Sequence, residues 1–172
     1  GFLEISTDAE NNLITNAKTC GLLFRGFEKM LAGRSPLDAV YFTERICGIC
    51  STSHAIASSL ALKNAFNEQT TLNDLYLRDL THGFEFLQNH LRQFFLFAVP
   101  DYVKLPEINP LVPQQYNDYR LNEADTQKIL NSYNKNIYYS RLCHEGLAVL
   151  GGKAPHNHGI FISGVTVNID SY

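Results

Sequence analysis

The sequence predicts a mainly α fold of the α+β kind: a bundle of long helices with a β-hairpin at the N-terminus and a short β segment at the C-terminus. Three observations predict it. Long stretches with helical spacing or helix-forming composition fill the middle of the chain, at about 48–66, 72–98 and 121–151. Strand-like patterning is confined to the two ends. Between the second and third long stretches, Pro100, Pro106, Pro110 and Pro113 break regular structure, so a loop or hinge is expected at about 100–120. A chain of 172 residues can bury a core, and 1–172 is read as a single piece.

The elements follow in order. Phe2-Leu3-Glu4-Ile5-Ser6 alternates, Asp8 to Asn12 breaks the pattern, and Leu13-Ile14-Thr15 resumes it, which is a hairpin signature. Phe24, Phe27 and Leu31 have helical spacing, closed by Gly33. Ser35-Pro36 opens a short helical turn, with proline at the first helical position. The segment 38–44 is short and ambiguous. From about Gly48 to Phe66 the chain is rich in Ala, Leu and Ser, and its small residues permit close helix approach. In the next helix Leu75, Leu80, Phe84, Leu87, Leu91 and Phe94 form an apolar stripe. Leu121-Asn122-Glu123 starts a third long helix that ends at Gly151-Gly152, and 160–167 is β-like. No internal repeat or low-complexity segment interrupts this order.

Composition excludes several classes. A net charge of −3 with scattered Lys and Arg argues against a nucleic-acid partner. No apolar run approaches the roughly 20 residues of a transmembrane helix; the longest, 94–99, reads as core or interface. Four cysteines do not suggest a disulfide framework, and reduced thiols fit better. The aromatic fraction, all Phe and Tyr, is rich for a monomer surface and fits contacts with partners.

The chemistry concentrates in Arg45-Ile46-Cys47-Gly48-Ile49-Cys50-Ser51-Thr52-Ser53-His54. If a helix starts near Gly48, Cys50 and His54 share a face and Cys47 precedes the first turn. The partial positive charge of a helix N-terminus favours thiolate over thiol. Three readings stay open on residues alone. A structural zinc site needs four ligands, and no second ligand pair follows. A thiol-redox Cys-Gly-x-Cys belongs at the end of a strand, and the segment before it is ambiguous. The third reading is a metal held by two soft sulfurs.

Arg-x-Cys-Gly-x-Cys-x-x-x-His resembles the N-terminal metal motif of the large subunit of nickel-iron hydrogenases. Phe24-Arg25-Gly26-Phe27-Glu28 with Gly33-Arg34-Ser35-Pro36-Leu37-Asp38-Ala39 is similar to that family's segment just upstream. Gly151-Gly152-Lys153-Ala154-Pro155-His156 resembles a segment far downstream, and Gly164 and Val167-Asn168-Ile169-Asp170 fit the stretch after it. The matches keep the family's order and cover nearly the whole chain. Family large subunits carry a second Cys-x-x-Cys near their C-terminus, and this sequence has none. The resemblance therefore implies an N-terminal portion carrying half of the metal ligands. The family's upstream proton-relay Glu is also absent.

The resemblance implies roles for particular residues. Cys47 would be a terminal nickel ligand and Cys50 a bridge from nickel to iron, in a centre whose iron carries diatomic ligands. His54 would donate a hydrogen bond to the bridging sulfur rather than ligate. Glu28 matches a carboxylate ligand of a separate magnesium or iron ion. Asn89 and His90 match the family's usual Asp-His above the vacant metal positions; the amide of Asn89 cannot exchange a proton as a carboxylate does. Gly151-Gly152-Lys153 and His156 would face the nearest cluster of an iron-sulfur small subunit. Implied partners are that subunit, the C-terminal part of the large subunit and maturation factors. Assembly is expected in the cytoplasm, with a final place there, at a membrane or in the periplasm. The rivals are a scaffold relative that has lost activity, close to the quinone-reductase subunits of respiratory complexes, and a small zinc or thiol-redox protein.

Overall fold

The structure, a computed structural model, describes residues 2–105 and 119–168. It divides into two compact units, 1–34 and 35–172.

The first unit is the expected hairpin. Strands β1 (Leu3–Glu10) and β2 (Leu13–Gly21) pair antiparallel, Leu3 opposite Gly21 and Glu10 opposite Leu13. Asn11 and Asn12 join them with φ of 51° and 62°. Two successive positive φ angles match the right-handed strand twist, and Asn tolerates them better than most residues. A bulge at Asp8/Ala9 interrupts the register. Both strands are exposed along their whole length. The helix that follows, α1 (Phe27–Leu31), is a single turn. It starts later than the apolar spacing predicts because Gly26 sits left-handed, at φ 74°, and cannot continue a helix backwards.

The second unit opens on a 3₁₀ turn, Pro36–Asp38, whose first N–H groups are met by Ser35: its Oγ accepts from the Leu37 N–H at 3.3 Å. The ambiguous segment is helical, as α2 (Ala39–Thr43) running into a 3₁₀ turn, Glu44–Ile46. Helix α3 (Ser51–Phe66) follows, then α4 (Leu72–Arg92), capped by the Thr71 side chain, and α5 (Glu123–Gly151), capped by Asn122. The path of α4 continues as a π turn, Gln93–Ala98, and a 3₁₀ turn, Val99–Asp101. Pro100 has no N–H to give an α-helical ladder there. Of the expected proline-rich loop, 106–118 lies outside the described residues.

The C-terminal β segment is one bridge, between Ile160 and Val165. The chain reverses between them, with the Phe161 N–H donating to the Gly164 carbonyl. Ser59 of α3 donates to the carbonyls of Phe161 and Ile162, so those groups serve a helix rather than a neighbouring strand. Ile160 then completes a small core with Val40, Ala55 and Ile56.

Helix α4 packs along α5 with a face the apolar stripe did not mark. Its buried residues are Leu77, Arg78, Thr81, Glu85 and Gln88, whereas Leu80, Phe86 and Leu87 are exposed. Part of the polar face bonds to α5: Gln88 Nε2 donates to the Ser140 carbonyl at 2.8 Å and Arg92 Nε to Ser140 Oγ at 2.9 Å. Among the described residues no helix is long and apolar enough to cross a membrane.

Candidate metal centre

The two thiols sit on a corner between two helical pieces. Cys47 is extended, at φ −144° and ψ 132°, as it leaves the Glu44–Ile46 turn. Cys50 is the N-cap of α3, at φ −124° and ψ 38°. The helix thus begins at Ser51, three residues later than the Gly48 start predicted. His54 still lands beside the thiols, because its N–H donates to the Cys50 carbonyl at 3.3 Å in the first turn. The sulfurs of Cys47 and Cys50 and a ring nitrogen of His54 all lie within 4.8 Å of one another, each residue half-buried. The Cys50 N–H points at Cys47 Sγ, 3.2 Å away, a contact that favours negative charge on that sulfur. The structure joins Cys47 to Cys50 as a disulfide, with Cα atoms 5.5 Å apart. That pairing departs from the expectation of reduced thiols; Cys20 and Cys143 are free.

Three elements hold the corner. From α4, Glu85 accepts from the N–H groups of Thr52 at 2.7 Å and Ser53 at 2.8 Å, and from Ser53 Oγ at 2.7 Å. A carboxylate is well matched to the unpaired N–H groups and positive end of α3. One turn on, Asn89 Nδ2 donates to the Ile49 carbonyl at 3.0 Å. The glycine-rich turn after α5 supplies the rest. The His156 N–H donates to Ser51 Oγ at 3.0 Å, His156 Nδ1 meets the Glu44 carbonyl at 3.0 Å, and Asn157 Nδ2 donates to Thr52 Oγ1 at 2.9 Å. That turn can fold this tightly only without side chains at Gly151 and Gly159: a Cβ on Gly159 would sit 2.9 Å from Gly151 Cα.

The predicted site residues are placed as follows. Cys47, Cys50 and His54 come together, and Asn89 reaches the loop between the thiols. His90 is exposed; its Nδ1 bonds the Phe86 carbonyl of its own helix and its ring lies 4.2 Å from that of Phe86. Glu28 is exposed on α1, in the first unit. Sequence reasoning missed Glu85, though its spacing of four from Asn89 was a legible signal. It also missed Glu44, which is fully buried with neither carboxylate oxygen hydrogen-bonded. Burial pushes the Glu44 carboxyl up to about 7, against the pull of Arg45 and Lys153 and with a further push from Glu85.

Two soft sulfurs and an imidazole at one spot suit a thiophilic transition metal better than a hard cation. They are one donor short of a closed tetrahedral zinc site. The donor set therefore fits a metal that takes further ligands from elsewhere.

Comparison with known proteins agrees. Residues 25–118 match the family of nickel-dependent hydrogenases. The periplasmic [NiFeSe] hydrogenase large subunit of Desulfomicrobium baculatum is 38% identical over 96% of this chain and 34% of that protein. The hydrogenase-1 large chain of Escherichia coli is 39% identical over 55% of this chain and 16% of that protein. The reduced Ni-Fe-Se hydrogenase of D. vulgaris Hildenborough superposes with a TM-score of 0.83 at 35% identity, over 98% of this chain and 35% of that one. The chain spans about a third of the length of the first of these relatives.

Proposed function

This chain belongs to the nickel-dependent hydrogenase family, and on that footing we propose that it forms part of the catalytic large subunit of an enzyme that oxidises or evolves H₂. The observation that carries the reading is the convergence of Cys47, Cys50 and His54 at one half-buried corner. Cys47 and Cys50, as thiolates, would hold the nickel-iron pair. Bound there, the metal pair supplies a Lewis acid for heterolytic H₂ chemistry.

The chain's own residues do the rest. Cys50 presents its sulfur from a helix N-cap, where positive potential stabilises the thiolate. His54 donates a hydrogen bond to that sulfur and tunes it. Asn89, an amide, carries no proton for the reaction. Glu28 is assigned to a separate magnesium or iron ion, whose hard character suits a carboxylate. Electrons pass to an iron-sulfur small subunit, and maturation factors load the centre during assembly in the cytoplasm. The periplasmic naming of the D. baculatum relative supports export after loading.

A second reading, a thiol–disulfide exchange protein, has the Cys47–Cys50 pairing behind it. Metal analysis of the intact gene product separates the two. Nickel with iron supports the hydrogenase reading; zinc, or no metal at all, overturns it. In the intact protein Cys50→Ser should abolish metal loading, because a hydroxyl is a poor bridging ligand. His54→Ala should weaken affinity or activity only about 10–100-fold. Equal loss of metal in both variants would make His54 a ligand.

A further inference from the structure

One helix face grips the thiol corner at two points of opposite polarity. Glu85 and Asn89 lie one turn apart on α4 and therefore project side by side. Glu85 takes the N–H groups of Thr52 and Ser53, at 2.7 and 2.8 Å. Asn89 gives an N–H to the carbonyl of Ile49, at 3.0 Å. The helix start offers donors and needs an acceptor; the loop between the cysteines offers an acceptor and needs a donor.

We propose that Asn89 is a positioning residue whose neutral amide, paired with Glu85, clamps the Cys47–Cys50 loop to α4 and so sets where the two sulfurs point. Ile49 lies between the two cysteines, so its peptide cannot turn without moving both thiols. The contact also dictates the amide's orientation: flipping it would set Oδ1 against the Ile49 carbonyl, and Oδ1 instead stays buried without a partner. An ionised carboxylate at this position would face carbonyl lone pairs and repel them; a protonated one would donate as the amide does. The polarity of residue 89 is thus matched to a carbonyl rather than to a reacting proton. The consequence for metal binding rests on the hydrogenase reading; the clamp itself does not.

The test uses the reduced full chain as wild type, Asn89→Ala and Asn89→Asp. Backbone hydrogen exchange is read at 47–50 across the range in which a carboxyl ionises. Arg92, which lines the same hollow beside Ile49, and Glu85, one turn away on α4, are the charged groups beside that position. Asn89→Ala should speed exchange of the loop about tenfold at every pH, the worth of one hydrogen bond. Asn89→Asp should match wild type when protonated and exchange at least as fast as the Ala variant when ionised. That recovery at low pH in a single variant separates loss of the clamp from misfolding. Wild-type protection in the ionised Asp variant would overturn the proposal. Cobalt(II) added to the same samples reads the consequence through its thiolate charge-transfer band, with affinity about 10–100-fold weaker wherever the loop is released. If exchange changes as expected and no sample binds cobalt, the clamp stands and the metal reading fails. If all samples bind cobalt equally and exchange is unchanged, the metal reading stands and the clamp is wrong.

Discussion

The hairpin of the first unit and the thiol corner of the second are held together in opposite ways. The hairpin has main-chain pairing, a two-Asn turn and almost no burial: Phe2 is 81% exposed and Leu23 72%. The corner has few apolar contacts of its own but a dense set of buried polar ones, with Glu85 2% exposed and Thr52 1%. A two-stranded ribbon is marginal by itself in water, and large exposed apolar patches usually mark a surface that something covers. A buried polar corner is the reverse: self-sufficient when every group is paired and costly when one partner is lost. The chemistry is therefore anchored on buried polar side chains paired across helices, while the hairpin's apolar side chains stay exposed.

Three changes would break or sharpen that contrast. The largest effect is expected for Glu85→Ala, which strands the Thr52 and Ser53 N–H groups at the buried start of α3. A loss of about 4 kcal/mol is expected from several charge-assisted hydrogen bonds removed together. Chemical denaturation measures it, and a loss below about 1 kcal/mol would mean water replaces the carboxylate.

Next comes pH. The Glu44 carboxyl, about 7 in the fold against an ordinary 4.5, holds its proton more tightly folded than unfolded. Its contribution is fully present below pH 4.5 and is lost as pH rises through 7. At about 1.4 kcal/mol per unit the loss is about 3 kcal/mol. Glu44→Gln should remove that slope, so its stability relative to wild type should improve steadily from acid to mildly alkaline pH. Parallel curves for the two proteins would contradict the assignment.

The smallest effect belongs to the hairpin. Ile5→Ser and Leu13→Ser touch residues 62% and 71% exposed, and each should shift unfolding by no more than about 0.5 kcal/mol. Light scattering should nonetheless show less self-association, because the lost side chains are surface rather than core. A large stability loss without a change in association would mean that these side chains are buried within the folded chain.

Much of this was legible in the chain itself. Asn122 announced a helix start, Gly152 announced an end, and the alternation around Asn11-Asn12 announced a hairpin, because caps and turns depend on residues within a few positions of each other. Cys-x-x-Cys with His54 was legible for the same reason: seven consecutive peptides bring those groups together. Helix α4 shows where local reading stopped. Its apolar stripe runs through Leu80 and Leu87, which stay exposed, and the buried face is Arg78, Thr81, Glu85 and Gln88. Periodicity reports which residues prefer to leave water; it cannot report that α3 and α5 present N–H and carbonyl groups needing polar partners. Likewise 160–167 has strand composition, yet Ser59 takes the carbonyls a strand would use. The sequence by itself determined the helices, the hairpin and the three donors of the corner, since each rests on short-range geometry. Only the tertiary structure decided that Glu85, Asn89, His156 and Asn157, 33 to 105 residues from their partners, hold that corner. Hydrogen bonds between distant segments exist only once the helices have packed.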